Sequence, residues 1–174
     1  MCLERNRAVA FEPSPVLTTV LSERIALNGV DDRLDVVQKA IGAAEGQLWG
    51  STHASGFIEL HREPHNADDF LVEVTTIDRE SERLGVIPDI LKIDIEGFEY
   101  EALVGANRVL QESQPIVFLE LHLDILEHRD VAPRAVCGIL QEHGYKFYTS
   151  LGRPLAASRV YNSANAVLRC VARV

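Results

Sequence analysis

Asp94, Glu96, Glu120, His122 and Glu12 are the residues whose types and spacing point to chemistry. The stretch Leu91-Lys92-Ile93-Asp94-Ile95-Glu96-Gly97-Phe98-Glu99 follows Pro88-Asp89. It starts as an apolar run, takes in Lys92 and Asp94, and ends in the charged turn Glu96-Gly97. A β-branched run bounded by Pro-Asp and Gly reads as a short, buried strand of a parallel sheet. Ligands of open α/β sheets bind at the carboxyl ends of such strands. A carboxylate inside a buried strand must be paired, hydrogen-bonded or functional, because bare burial is costly. Asp94 and Glu96 alternate, so both are expected on one side. They read either as groups facing a cofactor and a substrate hydroxyl, or as an ion pair using Lys92.

Glu120-Leu121-His122 repeats this arrangement at the end of the next apolar run, Ile116 to Leu121. Histidine is the natural general base near neutral pH, although a single His after a strand also serves structure alone. Asp94, Glu120 and His122 can be drawn as metal ligands too. Nothing in their spacing favours that, and no metal is expected. Glu12 ends another apolar run, Ala8 to Phe11, just before a helix signal. A carboxylate there can accept both hydrogen bonds of a ribose diol, or it is simply a solvated turn residue.

The elements that must position these groups follow from the pattern. The chain has 174 residues, 47% hydrophobic and 25% charged, as for one ordinary globular domain spanning residues 1–174. Ser14 before Pro15 caps a helix to about Asn28, with Val16, Leu17, Val20, Leu21, Ile25 and Leu27 on its apolar side. A second strand from Leu34 is expected to reach Ala40-Ile41. Leu48-Trp49 and Phe57 to Leu60 read as edge strands around a flexible loop, with His53, His61 and His65 solvated. Phe70 to Ile77 is a strand, and Asp78 is expected to cap a helix to Gly85. A helix from about Phe98 to Glu112 and another from Val131 to His143 flank the strand at 116–121. Tyr145 to Tyr148 and Ala166 to Val171 close the chain as an antiparallel pair with no helix between them. The resulting fold class is α/β: a doubly wound, mostly parallel sheet with one reversed strand.

The net charge of -9 argues against a nucleic-acid binder, since phosphates would be repelled. No apolar run approaches the length of a membrane span, and no signal peptide is visible at the start. Cys2, Cys137 and Cys170 are odd in number and widely spaced, which reads as reduced thiols of a cytoplasmic protein.

Taken in order, Ala10-Phe11-Glu12-Pro13-Ser14-Pro15, Ala26-Leu27-Asn28-Gly29, Val74-Thr75-Thr76-Ile77-Asp78, the stretch from Leu91 to Glu99, Leu103-Val104-Gly105-Ala106 and Leu119-Glu120-Leu121-His122 resemble the FkbM-type methyltransferases. These are class I enzymes dependent on S-adenosylmethionine, and the resemblance spans nearly the whole chain. It implies a Rossmann-like sheet and methyl transfer to a hydroxyl of a small acceptor, a sugar or secondary metabolite. In that family a first strand and a Gly-rich turn precede the strand ending in Glu12. Only Met1 to Arg7 stand before Ala8 here, so the sheet is expected to lack its first strand. The alternatives are an inactive remnant, a split-protein half completed by a partner, and a nicotinamide-dependent oxidoreductase. By the resemblance, Glu12 and Ser14 would lie at the cofactor, Ala40 and Ile41 near its adenine, and Asp94 near its methionine part or the transferring methyl. Glu96, Glu120 and His122 would line the acceptor side.

Overall fold

The computed structural model describes residues 7–52, 58–161 and 167–174. The expectations on Cys2, His53 and the 162–166 loop lie outside them. The chain forms an α/β fold in two compact units, Met1–Ala40 with Glu45–Thr75, and Ile41–Ala44 with Thr76–Val174.

In the first unit β1 (Ala8–Phe11) pairs in parallel with β2 (Leu34–Val37), joined by α1 (Pro15–Leu27). Ser14 caps α1 as expected: its Oγ accepts the Leu17 N–H at 3.2 Å. The expected apolar side is not buried, however. Only Ile25 is covered, while Leu27 is 85% exposed. The apolar residues of α1 fall all round the helix rather than in one stripe, so no single face can collect them.

The second strand is also shorter than expected. It stops at Val37, and Ala40–Ile41 forms a separate strand, β3, in another sheet. That sheet holds β4 (Gly46–Thr52), β5 (Ile58–His61) and β6 (Phe70–Thr75) in the order β3-β6-β4-β5, with antiparallel pairs on both sides of β4. Ser51, expected in a flexible loop, is a buried strand residue whose hydroxyl donates to Asp69 Oδ1 at 2.6 Å. His61 is not solvated either: its side chain is 10% exposed, and its ring centroid lies 3.9 Å from that of the exposed His65.

The second unit opens with α2 (Ile77–Leu84), whose cap is Thr76, not Asp78: Thr76 Oγ1 accepts the Arg79 N–H at 3.0 Å. Asp78 sits inside the helix and accepts the N–H groups of Arg108 and Val109 at 2.8 and 2.9 Å. It thereby caps a neighbouring helix. The helix expected over 98–112 is broken into α3 (Glu99–Val104) and α4 (Asn107–Glu112). At the break, a Cβ on Gly105 would overlap the carbonyl oxygen of Gly42. Only glycine lets these backbones meet.

The five-stranded sheet runs β10-β9-β11-β8-β7, from β7 (Ile90–Ile93), β8 (Ile116–His122), β9 (Lys146–Tyr148), β10 (Pro154–Leu155) and β11 (Val167–Arg173). Its β7–β8 pair is parallel and the other three pairs are antiparallel. The mostly parallel sheet of the sequence reading is therefore a mixed one. The closing antiparallel pair, β9 with β11, is present. It is no hairpin, since β10 and α7 (Ala157–Tyr161) lie between the two strands. Two further helices, α5 (Leu123–His128) and α6 (Pro133–Glu142), follow β8, the first of them unforeseen.

The core of this unit gathers Leu103, Leu110, Val117, Leu119, Leu121 and Leu140. Strand β8 buries alternate residues, Val117, Leu119 and Leu121, while Phe118 remains 44% exposed. One face is thus covered rather than the two expected. That packing fixes β8 as the platform on which the next residue, His122, is carried.

Candidate active site

Strand β7 ends at buried Ile93, and the chain turns through Asp94–Gly97. Glu96 has φ 51° and Gly97 φ 91°, both left-handed. For a non-glycine residue this costs about 1–2 kcal/mol, and such strain collects at functional sites. The turn is clamped from outside. Arg129 donates through Nη1 to the Gly97 carbonyl and through Nη2 to Glu101 Oε1 at 2.7 Å. Its guanidinium lies 3.7 Å from the centre of the Phe98 ring. A Cβ at Gly97 would overlap Ile125 of α5, so helix and turn fit only with glycine there.

Glu99, the first residue of α3, is 0% exposed. Its Oε1 accepts the Gly97 N–H at 3.0 Å and lies 2.8 Å from His122 Nδ1. Its Oε2 is buried with no hydrogen-bond partner among the described residues. A carboxylate oxygen only accepts, so the bond to His122 runs from Nδ1–H to Glu99 Oε1, beside the one from Gly97. Nε2 of the neutral ring then carries the lone pair.

His122 is 6% exposed and ends β8. Its Nε2 lies 3.5 Å from Glu96 Oε2 and 3.8 Å from Asp94 Oδ1, beyond hydrogen-bond length for an N–H donor. Burial pulls the imidazole pKa down. The Glu99 hydrogen bond and the fields of Glu96, Glu99 and Asp94 outweigh it, so the pKa is raised above the ordinary 6.5. Asp94 turns its other oxygen, Oδ2, to Lys92 Nζ at 2.7 Å. The ion pair weighed for Asp94 is therefore real, yet it leaves Oδ1 towards the imidazole.

Glu120, half-buried, is in register with Arg169 of β11. Donor atoms of Asp94, Glu120 and His122 lie within 4.8 Å of one another, a span a divalent cation could bridge. The second unit thus brings together Asp94, expected at the methionine part of the cofactor, and Glu96, Glu120 and His122, the three residues expected on the acceptor side. The residue missed there is Glu99. Its signal was an acid at the start of a helix, a position as often filled for the helix dipole.

The remaining expected residues are in different places. Glu12, in the first unit, continues β1: its N–H donates to Val37 O at 3.1 Å. Its Oε1 accepts the Ser14 N–H at 2.8 Å, and no donor among the described residues reaches Oε2. Ser14 itself is buried and spent on the helix cap. Ala40 is buried with Val72 and Val74, whereas Ile41 packs against the core of the second unit.

A family model described as the methyltransferase FkbM domain matches residues 1–147. No curated protein matches the chain. Among solved structures, the crystal structure of methyltransferase FkbM from Methylobacillus flagellatus KT is similar, with a TM-score of 0.57 at 20% identity. The alignment covers 97% of this chain and 36% of that one. At that identity the likeness is one of fold. Among the described residues no helix is long and apolar enough to cross a membrane.

Proposed function

The chain belongs to the FkbM methyltransferase domain family, and from that premise we propose that it transfers the methyl group of S-adenosylmethionine to a hydroxyl of a sugar or secondary metabolite in the cytoplasm. The observation that carries this reading is the gathering of Asp94, Glu96, Glu120 and His122 at the carboxyl ends of two parallel strands, β7 and β8. Methyl transfer from a sulfonium is an in-line displacement, so much of the rate comes from holding donor and acceptor in position.

The donor set suits the cofactor chemically. S-Adenosylmethionine supplies an electrophilic methyl on a positively charged sulfur, beside an ammonium group and a ribose diol. Carboxylates favour the charges, and Glu12 Oε2 is an acceptor of the kind a ribose hydroxyl needs. The acceptor side is acidic, which favours neutral polyols over phosphorylated or carboxylated molecules. A reading in which the site is completed by a further strand, from another segment or a partner, has one observation in its favour. Among the described residues β7 hydrogen-bonds to β8 alone.

The test is transfer of labelled methyl from S-adenosylmethionine into a panel of neutral sugars and polyhydroxylated metabolites. Label in a neutral acceptor that is absent from its phosphorylated counterpart supports the reading. Label confined to anionic acceptors contradicts it.

A further inference from the structure

We propose that His122 is the general base that takes the acceptor's hydroxyl proton at Nε2, and that Glu99 is the positioning residue that fixes its tautomer. The inference rests on the methyl-transfer reading above and names the proton path within it. Four observations converge. Glu99 is fully buried and lies 2.8 Å from His122 Nδ1. Its bonded oxygen is already an acceptor for the Gly97 N–H. Nε2 faces carboxylate oxygens of Glu96 and Asp94, at 3.5 and 3.8 Å. His122 sits on the rigid end of β8 rather than on a loop.

The groups facing the imidazole are Asp94 and Glu96 from the turn after β7, Glu99 from α3 and Glu120 from its own strand. Every one of these charges is negative, so the field favours arrival of a proton on Nε2. The same carboxylates can accept hydrogen bonds from neighbouring hydroxyls of a polyol, holding the reacting one against Nε2.

The balance is simple. The acceptor oxygen forms a bond to the methyl carbon while the carbon–sulfur bond breaks. That electron pair stays on sulfur, which becomes a neutral thioether. The hydroxyl proton passes to Nε2, and the imidazolium is stabilised by Glu99 through Nδ1–H. The proton is then released from Nε2 to water, which restores the neutral imidazole.

Two measurements on the intact protein decide this. The first needs no turnover: 15N shifts of the His122 ring above its pKa. Wild type is expected to show protonated Nδ1 and bare Nε2, and Glu99→Gln to lose that preference. The reverse tautomer in wild type would overturn the assignment. The second is the pH profile of kcat. His122→Asn is expected to lose at least about 100-fold in kcat with an unchanged KM for the methyl donor. In Glu99→Gln the rising limb should move to lower pH, because the group that raises the imidazole pKa is gone. A merely structural Glu99 would leave the limb in place.

Full kcat in a folded His122→Asn would overturn the base alone. Turnover that requires added Mn2+, with His122 resonances broadened by it, would also overturn it, making the imidazole a ligand. No methyl transfer by wild type, with the tautomer intact, would instead overturn the methyl-transfer reading and the base with it.

Discussion

His122 Nδ1 and Glu99 Oε1 are 2.8 Å apart, and the carboxylate of that pair has no exposed surface. A hydrogen bond between charged partners in such a place contributes to folding as well as to chemistry. The His122 pKa is raised in the folded chain above its ordinary 6.5. The stability it adds is therefore complete below that ordinary value and disappears as pH climbs through the raised one. Wild type should exceed His122→Asn by about 1.5–3 kcal/mol at pH 5.5. The gap should narrow steadily on the alkaline side. Urea unfolding of both proteins across pH 5–9 checks the sign; a gap that widens with pH would contradict it.

Gly97 is held to its identity twice, by φ 91° and by the Ile125 side chain lying where a Cβ would go. Gly97→Ala should cost at least about 2 kcal/mol. Adding Ile125→Ala removes the overlap but leaves the backbone strain, so the double variant should recover only the contact's share of the Gly97→Ala loss. Chemical denaturation of the three proteins measures this. Full recovery would show that the left-handed turn carries no strain.

Tyr145 tests the interior away from the acidic cluster. Burial pushes its hydroxyl pKa up to about 12, and the hydroxyl donates to the Pro115 carbonyl at 2.9 Å. Tyr145→Phe keeps the ring and strands the carbonyl, so the expected loss is about 1–2 kcal/mol. Unchanged stability would mean that water replaces the hydroxyl there.

Asp69 organises the first unit. It accepts from Ser51 Oγ at 2.6 Å and from the backbone N–H groups of His65 and Asn66 at 2.6 and 2.9 Å. The Ser51 and Asn66 bonds outweigh desolvation and hold its pKa near about 2, against an ordinary 3.8. Its stabilising effect is present above 3.8 and is lost as pH falls through about 2. A carboxyl 13C titration of Asp69 should have its midpoint well below those of exposed aspartates. A midpoint at the ordinary value would dissolve this network.

Much of this was legible in the sequence, and the failures share a physical cause. The β-branched runs at 90–93 and 116–122 and the Ser14-Pro15 cap were readable because periodicity and capping are local. The cluster of Asp94, Glu96, Glu120 and His122 was readable from alternation at two strand ends. Asp78 looked like a cap from its neighbours, yet it caps a helix 30 residues on. The break at Gly105 depends on the distant Gly42 backbone, and the role of Glu99 on a histidine 23 residues away. Those are tertiary facts that no local window contains. The parallel reading of the sheet failed for the same reason: β11 enters between β8 and β9, and strand order is not written in strand composition.

The most direct test of the central claim is calorimetric titration of the protein with S-adenosylmethionine, beside Glu12→Ala and Asp94→Ala. Each carboxylate is expected to meet a complementary group of the cofactor. Binding by wild type, weakened about 10- to 100-fold in each variant, is the predicted result. Equal affinity in all three proteins would contradict the site assignment, and no binding by wild type would contradict the methyl-transfer account itself.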